Sequence, residues 1–247
     1  MRNYEEEFKN RVEFIKKLLE TSGAKGIVFG NSGGKDSALV GILCKAACDN
    51  TLGIILPCSV ARNFTEDAVD GEALATQFGI ESRTIDLSSV REKEIEVLEA
   101  AGFELNPSAV TNIAPRLRMT TLYAVAAARN MLVAGTGNRD EMYVGYFTKW
   151  GDGAHDFNPI SDLTVGEIYE FLEYLNAPAN IIKKAPSAAL AEGQTDEGEM
   201  GVTYAQLDRN ILTGEIDDEE AKAKIDRLHR ISQHKRDGIA RFKYINE

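Results

Sequence analysis

The sequence predicts an α/β fold, a doubly wound, mostly parallel sheet with helices on both faces and a helical addition at the C-terminal end. Short continuous apolar runs, such as Ile27-Val28-Phe29 and Met131-Leu132-Val133-Ala134, read as strands buried on both faces. Segments with apolar residues three and four apart alternate with them, so residues 25–135 repeat strand then helix four times. Right-handed crossovers gather the loops that follow these strands along one edge of such a sheet.

Each element follows from its local pattern. Phe8, Val12, Ile15 and Leu19 share one face of a first helix over residues 4–20, and the run from Ser22 to Gly26 ends it. Ile27-Val28-Phe29 is the first strand; a Gly/Ser turn and a small-residue helix over 36–48 follow. Residues 52–56 form a second strand, and 63–78 a helix with Ala68, Ala73 and Leu74 inward. A third strand covers 80–85, an acidic helix 89–100, an apolar helix 117–130 and a fourth strand 131–134. Beyond Gly135 the periodicity fades. Residues 145–163 and 186–203 read as long loops that cover a substrate, with a helix over 165–175 between them. Ala221, Ile225, Leu228 and Ile231 make an amphipathic helix of the tail, residues 217–235. No repeat, low-complexity tract or linker divides the chain, so residues 1–247 are expected to form one domain.

Composition excludes several classes. With 28 Lys and Arg against 39 Asp and Glu, the net charge is −11, which disfavours a nucleic-acid coat but leaves room for a locally positive pocket. No apolar run approaches the ~20 residues of a membrane span, and the charged N-terminus lacks a signal-peptide core. The expectation is a cytoplasmic protein with neither membrane nor nucleic-acid partner. Three cysteines, an odd number, fit a reducing compartment. Cys44 and Cys48, one turn apart on an apolar helix, read as small buried hydrophobes rather than metal ligands.

The strongest local signal is the run Gly30-Asn31-Ser32-Gly33-Gly34-Lys35-Asp36-Ser37, between a strand and a helix. Glycines let backbone N–H groups approach a ligand, Ser32 and Ser37 add hydroxyl donors, and the helix N-terminus adds positive potential: a cradle for phosphate. Asp36 would repel phosphate unless Mg²⁺ bridges them. A Walker A loop is excluded, because Asp36 stands where it needs Ser or Thr. A dinucleotide fingerprint is excluded too, since Asp140 takes the third glycine position after Gly135-Thr136-Gly137.

The S-G-G-x-D-S pattern resembles the pyrophosphate-binding loop of the N-type ATP pyrophosphatases, which cleave ATP between its α and β phosphates. Four further segments resemble one branch, the ammonia-dependent NAD synthetases: Asn112 to Met119 (N-I-x-x-R-x-R-M), Gly135 to Glu141 (G-T-x-x-x-x-E), Gly145 to Asp156 (G-x-x-T-K-x-G-D-G-x-x-D), and Lys184-Ala185-Pro186-Ser187-Ala188 with the later His234-Lys235-Arg236. They stand in that family's order. The resemblance implies an adenine nucleotide alpha hydrolase-like fold, ATP as co-substrate, Mg²⁺, and a homodimer. It implies that Gly30, Asn31, Ser32, Gly33, Gly34, Lys35, Asp36, Ser37, Thr136 and Ser187 bind ATP. Asp36, Ser32 and Ser37 are the expected catalytic residues, and Asp36 and Glu141 the expected metal ligands. Arg116, Lys149, Asp156, His234 and Lys235 are assigned to the pyridine-nucleotide substrate.

Arg118 reads equally well as a surface or interface ion pair. One position departs from the family: Val165 stands where it carries an ATP-contacting lysine, so Lys183 or Lys184 is left to reach the phosphates. The implied reaction is amidation of deamido-NAD to NAD through an adenylate, releasing pyrophosphate and AMP. No Cys-His-Glu amidase pattern is visible, so free ammonia is the expected nitrogen source. The alternatives are another adenylating ligase with this loop, a tRNA-modifying enzyme (disfavoured by acidic charge and the lack of C-x-x-C), and a non-catalytic nucleotide sensor.

Overall fold

The computed structural model describes residues 2–184 and 195–242. It opens with α1 (Tyr4–Ser22), β1 (Gly26–Gly30), α2 (Lys35–Ala47) and β2 (Thr51–Ile55). Then come α3 (Ala61–Phe64), α4 (Glu66–Phe78), β3 (Glu81–Thr84), α5 (Ser88–Ala100), α6 (Pro107–Arg129) and β4 (Met131–Ala134). The chain continues through α7 (Arg139–Val144), α8 (Val165–Tyr174) and α9 (Ala179–Lys183). It ends with α10 (Asp196–Met200), α11 (Tyr204–Thr213), α12 (Glu219–Ile231) and α13 (Gln233–Arg236).

The strands form one parallel sheet in the order β3-β2-β1-β4. The winding direction reverses between β1 and β4, which makes that gap the switch point where a ligand crevice opens in such sheets. Alternation along β1 sends Ile27 and Phe29 to one face and Val28 to the other. The first face packs with Ile15 of α1, Leu39 and Leu43 of α2, Leu74 of α4, and Ile168 and Phe171 of α8. Val28 meets Ile54, Val133 and the α6 residues Ala114 and Ala126. Helices therefore cover both faces, as the sequence predicts. A third core joins Val144, Val165, Leu207 and Ile225, tying α7, α8, α11 and α12 together.

Three expectations change. The apolar helix expected to begin at residue 117 begins at Pro107, with Pro115 inside it. Proline removes a backbone donor and normally breaks a helix. Here Asn106 Oδ1 caps the start by accepting the Ala109 N–H at 2.8 Å, and Pro115 is buried, so capping and packing keep the segment helical. The tail breaks at Ser232 into two helices. Within 186–203, α10 replaces part of the expected loop, residues 185–194 lie outside the described residues, and α11 follows where no helix was expected. No described helix is long and apolar enough to cross a membrane.

The N-terminus of α8 carries an unusual load. The Val165 N–H donates to Asp140 Oδ2 at 2.7 Å and the Gly166 N–H to Asp208 Oδ2 at 2.9 Å. The other oxygen of each carboxyl group is buried without a hydrogen-bonding heavy-atom donor. A proton held by Asp140 and shared with Asp208 reconciles the two. Burial, then the charge of Asp208, pushes Asp140 up to about 8. Between the ordinary aspartate range and that value, the folded chain keeps a proton that the unfolded chain has released. Stability therefore falls as pH rises across that window. Asp208→Asn keeps the acceptor for Gly166, gives Asp140 a donor and removes the like charge. Its melting temperature is expected to exceed that of the wild type by at least about 3 °C at about pH 8.5, the shift from ~1 kcal/mol in a chain this size. The advantage is expected to shrink at about pH 6, near the middle of the window. Scanning calorimetry across pH checks this, and an unaltered pH slope would remove the shared proton.

Candidate active site

The loop between β1 and α2 lies at the C-terminal edge of the sheet and closes on itself. Ser32 Oγ and Ser37 Oγ are 3.1 Å apart, Ser37 Oγ donates to the Gly34 carbonyl at 3.0 Å, and the Gly34 N–H points to Ser32 Oγ at 3.3 Å. Gly34 caps α2 without a side-chain hydrogen bond, so the first N–H groups of the helix keep their capacity for an anion. Gly33 has φ +70°, and a Cβ there would stand 2.2 Å from the Asp67 carbonyl oxygen. Both facts demand glycine.

Beneath this contact lies a clamp from α4. Lys184 Nζ is 2.7 Å from Asp67 and 2.6 Å from Asp70, and 3.4 Å from the Gly33 carbonyl oxygen. Lys184, one of the two lysines left to reach the phosphates, borders the loop with its charge engaged by two acids. Asp67 also accepts from Asn63 at 3.0 Å and pairs with Arg62 at 3.2 Å.

Across the β1/β4 gap, the segment after β4 supplies the opposing acid. Gly135 packs so tightly on the His155 ring that a Cβ would stand 2.4 Å from it. Asn138 is fully buried and binds both sides. Its Nδ2 donates to Asp36 Oδ1 at 3.1 Å, its N–H donates to Glu141 Oε2 at 3.0 Å, and its Oδ1 accepts the Glu141 N–H at 3.0 Å. Burial, then the charge of Asp36, holds the Glu141 carboxyl well above its ordinary range. An acid opposed by the charge of a neighbouring carboxylate suits a divalent cation between the two. Among the described residues no group of three His, Cys, Asp or Glu forms a protein-only metal cage, so the remaining ligands would be oxygens of substrate or water.

Lys35 Nζ lies 2.8 Å from Asp36 Oδ2 and 5.4 Å from the Tyr204 ring centroid. Burial opposes its charge, but Asp36 and Glu141 outweigh it and the ammonium holds its proton more firmly than usual. Tyr204 in turn donates to Asp196 Oδ2 at 2.9 Å.

A cavity of about 640 Å³ joins these parts. Gly30, Asn31, Ser32, Gly34, Lys35, Asp36, Ser37, Thr136, Glu141 and Lys235 all line it. Asn31 turns its amide to the Gly71 carbonyl at 2.9 Å, so its side chain braces the loop. Gly33 lies behind the wall, on Asp67. Ser187 lies outside the described residues.

The residues assigned to the pyridine nucleotide are divided. Lys235 lines the cavity and donates to the carbonyls of Gly145 and Phe147 at 2.6 and 2.5 Å. Arg116, Lys149 and His234 form a group of their own at the surface: Arg116 reaches the Lys149 carbonyl at 3.4 Å, and Lys149 donates to the His234 carbonyl. Asp156 accepts from the Val133 N–H at 2.8 Å and the Tyr123 hydroxyl at 3.1 Å, which fixes it to β4 and α6. Arg118 has no ion pair among the described residues of the chain. It donates to the Leu56 carbonyl at 3.0 Å and Asn63 Oδ1 at 3.1 Å, and it lines the cavity. Val165 is buried in the third core, so no cation enters from its position.

The sheet order defines an adenine nucleotide alpha hydrolase-like fold with its crevice at the β1/β4 switch point. The NAD synthase family model matches residues 7–245, and the chain belongs to that family. It is 45% identical over 236 residues to the NH(3)-dependent NAD(+) synthetase of Carboxydothermus hydrogenoformans, covering 95% of this chain and 96% of the relative. It is 39% identical over 240 residues to that of Archaeoglobus fulgidus, covering 95% of each. Among solved structures, NMN synthetase from Francisella tularensis superposes with a TM-score of 0.92 at 35% identity, over 99% of this chain and 100% of that one. The NH3-dependent NAD synthetase of Campylobacter jejuni gives 0.79 at 28% identity, over 98% and 100%.

Asn138 and the Lys184–Asp67–Asp70 clamp were not singled out from sequence, although both leave a trace. N-x-x-E over 138–141 is a capping-box pattern, and Asp67 and Asp70 are three apart on one helix face.

Gly33→Ala is expected to weaken ATP binding at least tenfold, about 1.4 kcal/mol, by isothermal titration, because the loop must leave Asp67. Gly23→Ala is the control: it has φ +68° with nothing within 4 Å. It should lose about 1–2 kcal/mol of stability and keep ATP affinity. Equal ATP affinity in the two variants would refute the clamp.

Proposed function

We propose that this chain makes NAD from deamido-NAD, ATP and ammonia, releasing AMP and pyrophosphate. What carries the reading is the meeting of three features in one cavity wall: the Ser32/Ser37 loop, the open N-terminus of α2, and the Asp36–Asn138–Glu141 link. The relatives' names agree with it.

In the first step a nicotinate carboxylate oxygen attacks the α-phosphorus of ATP, and the bond to the β-phosphate oxygen breaks. The protein's part is alignment and charge stabilisation. The hydroxyls of Ser32 and Ser37 and the N–H groups at the start of α2 hold the departing pyrophosphate. Asp36 and Glu141 are the residues that would hold Mg²⁺, whose chemistry is to neutralise and orient those phosphates. In the second step the ammonia lone pair attacks the acyl carbon, AMP leaves with the bonding electrons, and the nitrogen loses a proton to solvent to give the neutral amide. Lys235 in the cavity wall, with Arg116, Lys149 and His234 at the surface, would hold the pyridine nucleotide. Asp156 requires release from Val133 or Tyr123 to join them.

A homodimer is part of this reading. Val90, Val97 and Phe103 expose apolar surface along α5 and the turn after it, the kind of patch that marks an interface. Sedimentation equilibrium at twice the chain mass of 27.1 kDa is the expected result. So is a cytoplasmic location, supported by three free cysteines.

The test incubates the protein with ATP, Mg²⁺, ammonia and deamido-NAD and measures NAD, AMP and pyrophosphate. Because the Francisella structure is named for a mononucleotide synthetase, the acid form of that mononucleotide is a parallel substrate. AMP must equal amide formed. Accumulation of ADP, or ATP binding without product, would reject the reading. Asp36→Asn is expected to lower pyrophosphate release at least a hundredfold, the order set by lost charge stabilisation of the transition state, with an unchanged circular dichroism spectrum.

A further inference from the structure

Lys35 occupies the variable position of the loop, as the first residue of α2. That is a poor place for a cation. The start of a helix carries positive potential, and burial of an ammonium is unfavourable unless it is paired. Yet the Lys35 side chain is only 5% exposed. Its Nζ does not point out of the loop mouth toward solvent. It lies against Asp36 Oδ2 at 2.8 Å, over the Tyr204 ring. The second oxygen of Asp36 takes Asn138 Nδ2 at 3.1 Å. Both oxygens of Asp36 therefore already have a donor, and one donor is a full positive charge.

This arrangement treats a bare divalent ion and a metal–nucleotide complex differently. A bare ion brings two positive charges beside an ammonium that already satisfies the acid. A metal bound to ATP arrives with the nucleotide's negative charge, which compensates both cations. We propose that Lys35 is a resident counter-ion of the Asp36–Glu141 pair, which keeps bare divalent metal out and admits it only together with nucleotide. The proposal rests on the metal reading of Asp36 and Glu141 above and adds to it an order of binding. Lys35 is here a positioning residue, acting on the metal through Asp36.

The probe is Mn²⁺, followed by electron paramagnetic resonance of the free ion, without nucleotide and with the non-cleavable analogue α,β-methylene-ATP. Binding by the analogue alone is subtracted. Wild type is expected to bind Mn²⁺ at least thirtyfold more weakly without the analogue than with it. Lys35→Met is expected to tighten bare Mn²⁺ binding at least tenfold and narrow that gap. A residue needed only for structure gives no gain of affinity when removed. Lys35→Gln keeps a hydrogen bond to Asp36 without the charge, and it is expected to behave like Lys35→Met if the latter does not fold. Equal Mn²⁺ affinity of wild type with and without the analogue, or a folded variant with unchanged bare-metal affinity, overturns the proposal. The metal reading fails separately, and the proposal with it, if Mn²⁺ does not bind even with the analogue or if Asp36→Asn leaves that binding unchanged.

Discussion

Two carboxyl groups, Asp36 and Glu141, are held near each other across the gap between β1 and β4, and their repulsion is answered by one buried amide and one buried ammonium. The arrangement requires the sheet. Only when β4 lies beside β1 in parallel do the loops after the two strands emerge side by side. Asn138 then bonds to both acids at once. Were the winding not reversed at this point, the loop that carries Glu141 would emerge elsewhere along the edge, and the phosphate cradle would face no second acid.

The parts around this pair keep it from relaxing. Gly33 rests on the Asp67 backbone and Lys184 ties α4 to the end of α9, so the loop has a fixed floor. On the other side, Asp140 follows Asn138 by two residues and anchors α7 to the start of α8. The carboxyl of Asp140 faces the structural core while that of the next residue, Glu141, faces the crevice. The helical geometry of α7 separates adjacent acids by about 100°, which lets one brace the fold and the other serve the site.

Much of this was legible in the chain because it depends on local pattern. Apolar runs marked β1, β2 and β4, and the loop from Gly30 to Ser37 stood out through residue types suited to an anion. What escaped was set by tertiary contact. The helix expected over 117–130 reaches back to Pro107, and Pro115 sits within it because capping at Asn106 and burial outweigh the lost hydrogen bond. Arg118 reads as a surface charge, but the end of β2 offers it a carbonyl. Lys35 was expected on the phosphates. No local rule could have turned it inward, because the groups that draw it there belong to α7 and α11 as well as to its own neighbour.

The absence of a lysine at 165 alters how phosphate must be held. Two lysines stand near the loop, and both are already engaged: Lys35 with Asp36, and Lys184 with Asp67 and Asp70. The Lys35 pair is close to neutral, and Lys184 faces two acids, so neither group presents net positive charge to an incoming anion. Arg118 and Lys235 also line the cavity; within the loop itself, the attraction that remains comes from backbone N–H groups at the start of α2 and from two hydroxyls. These are directional but carry no full charge, and they act only at short range. A triphosphate placed on such a cradle keeps most of its own repulsion, and that repulsion grows against Asp36 and Glu141. The same two acids that repel a bare nucleotide favour one that carries a cation. On the proposed reading, a divalent ion held by Asp36 and Glu141 would take over the role that a free lysine would play, and nucleotide and metal would bind together.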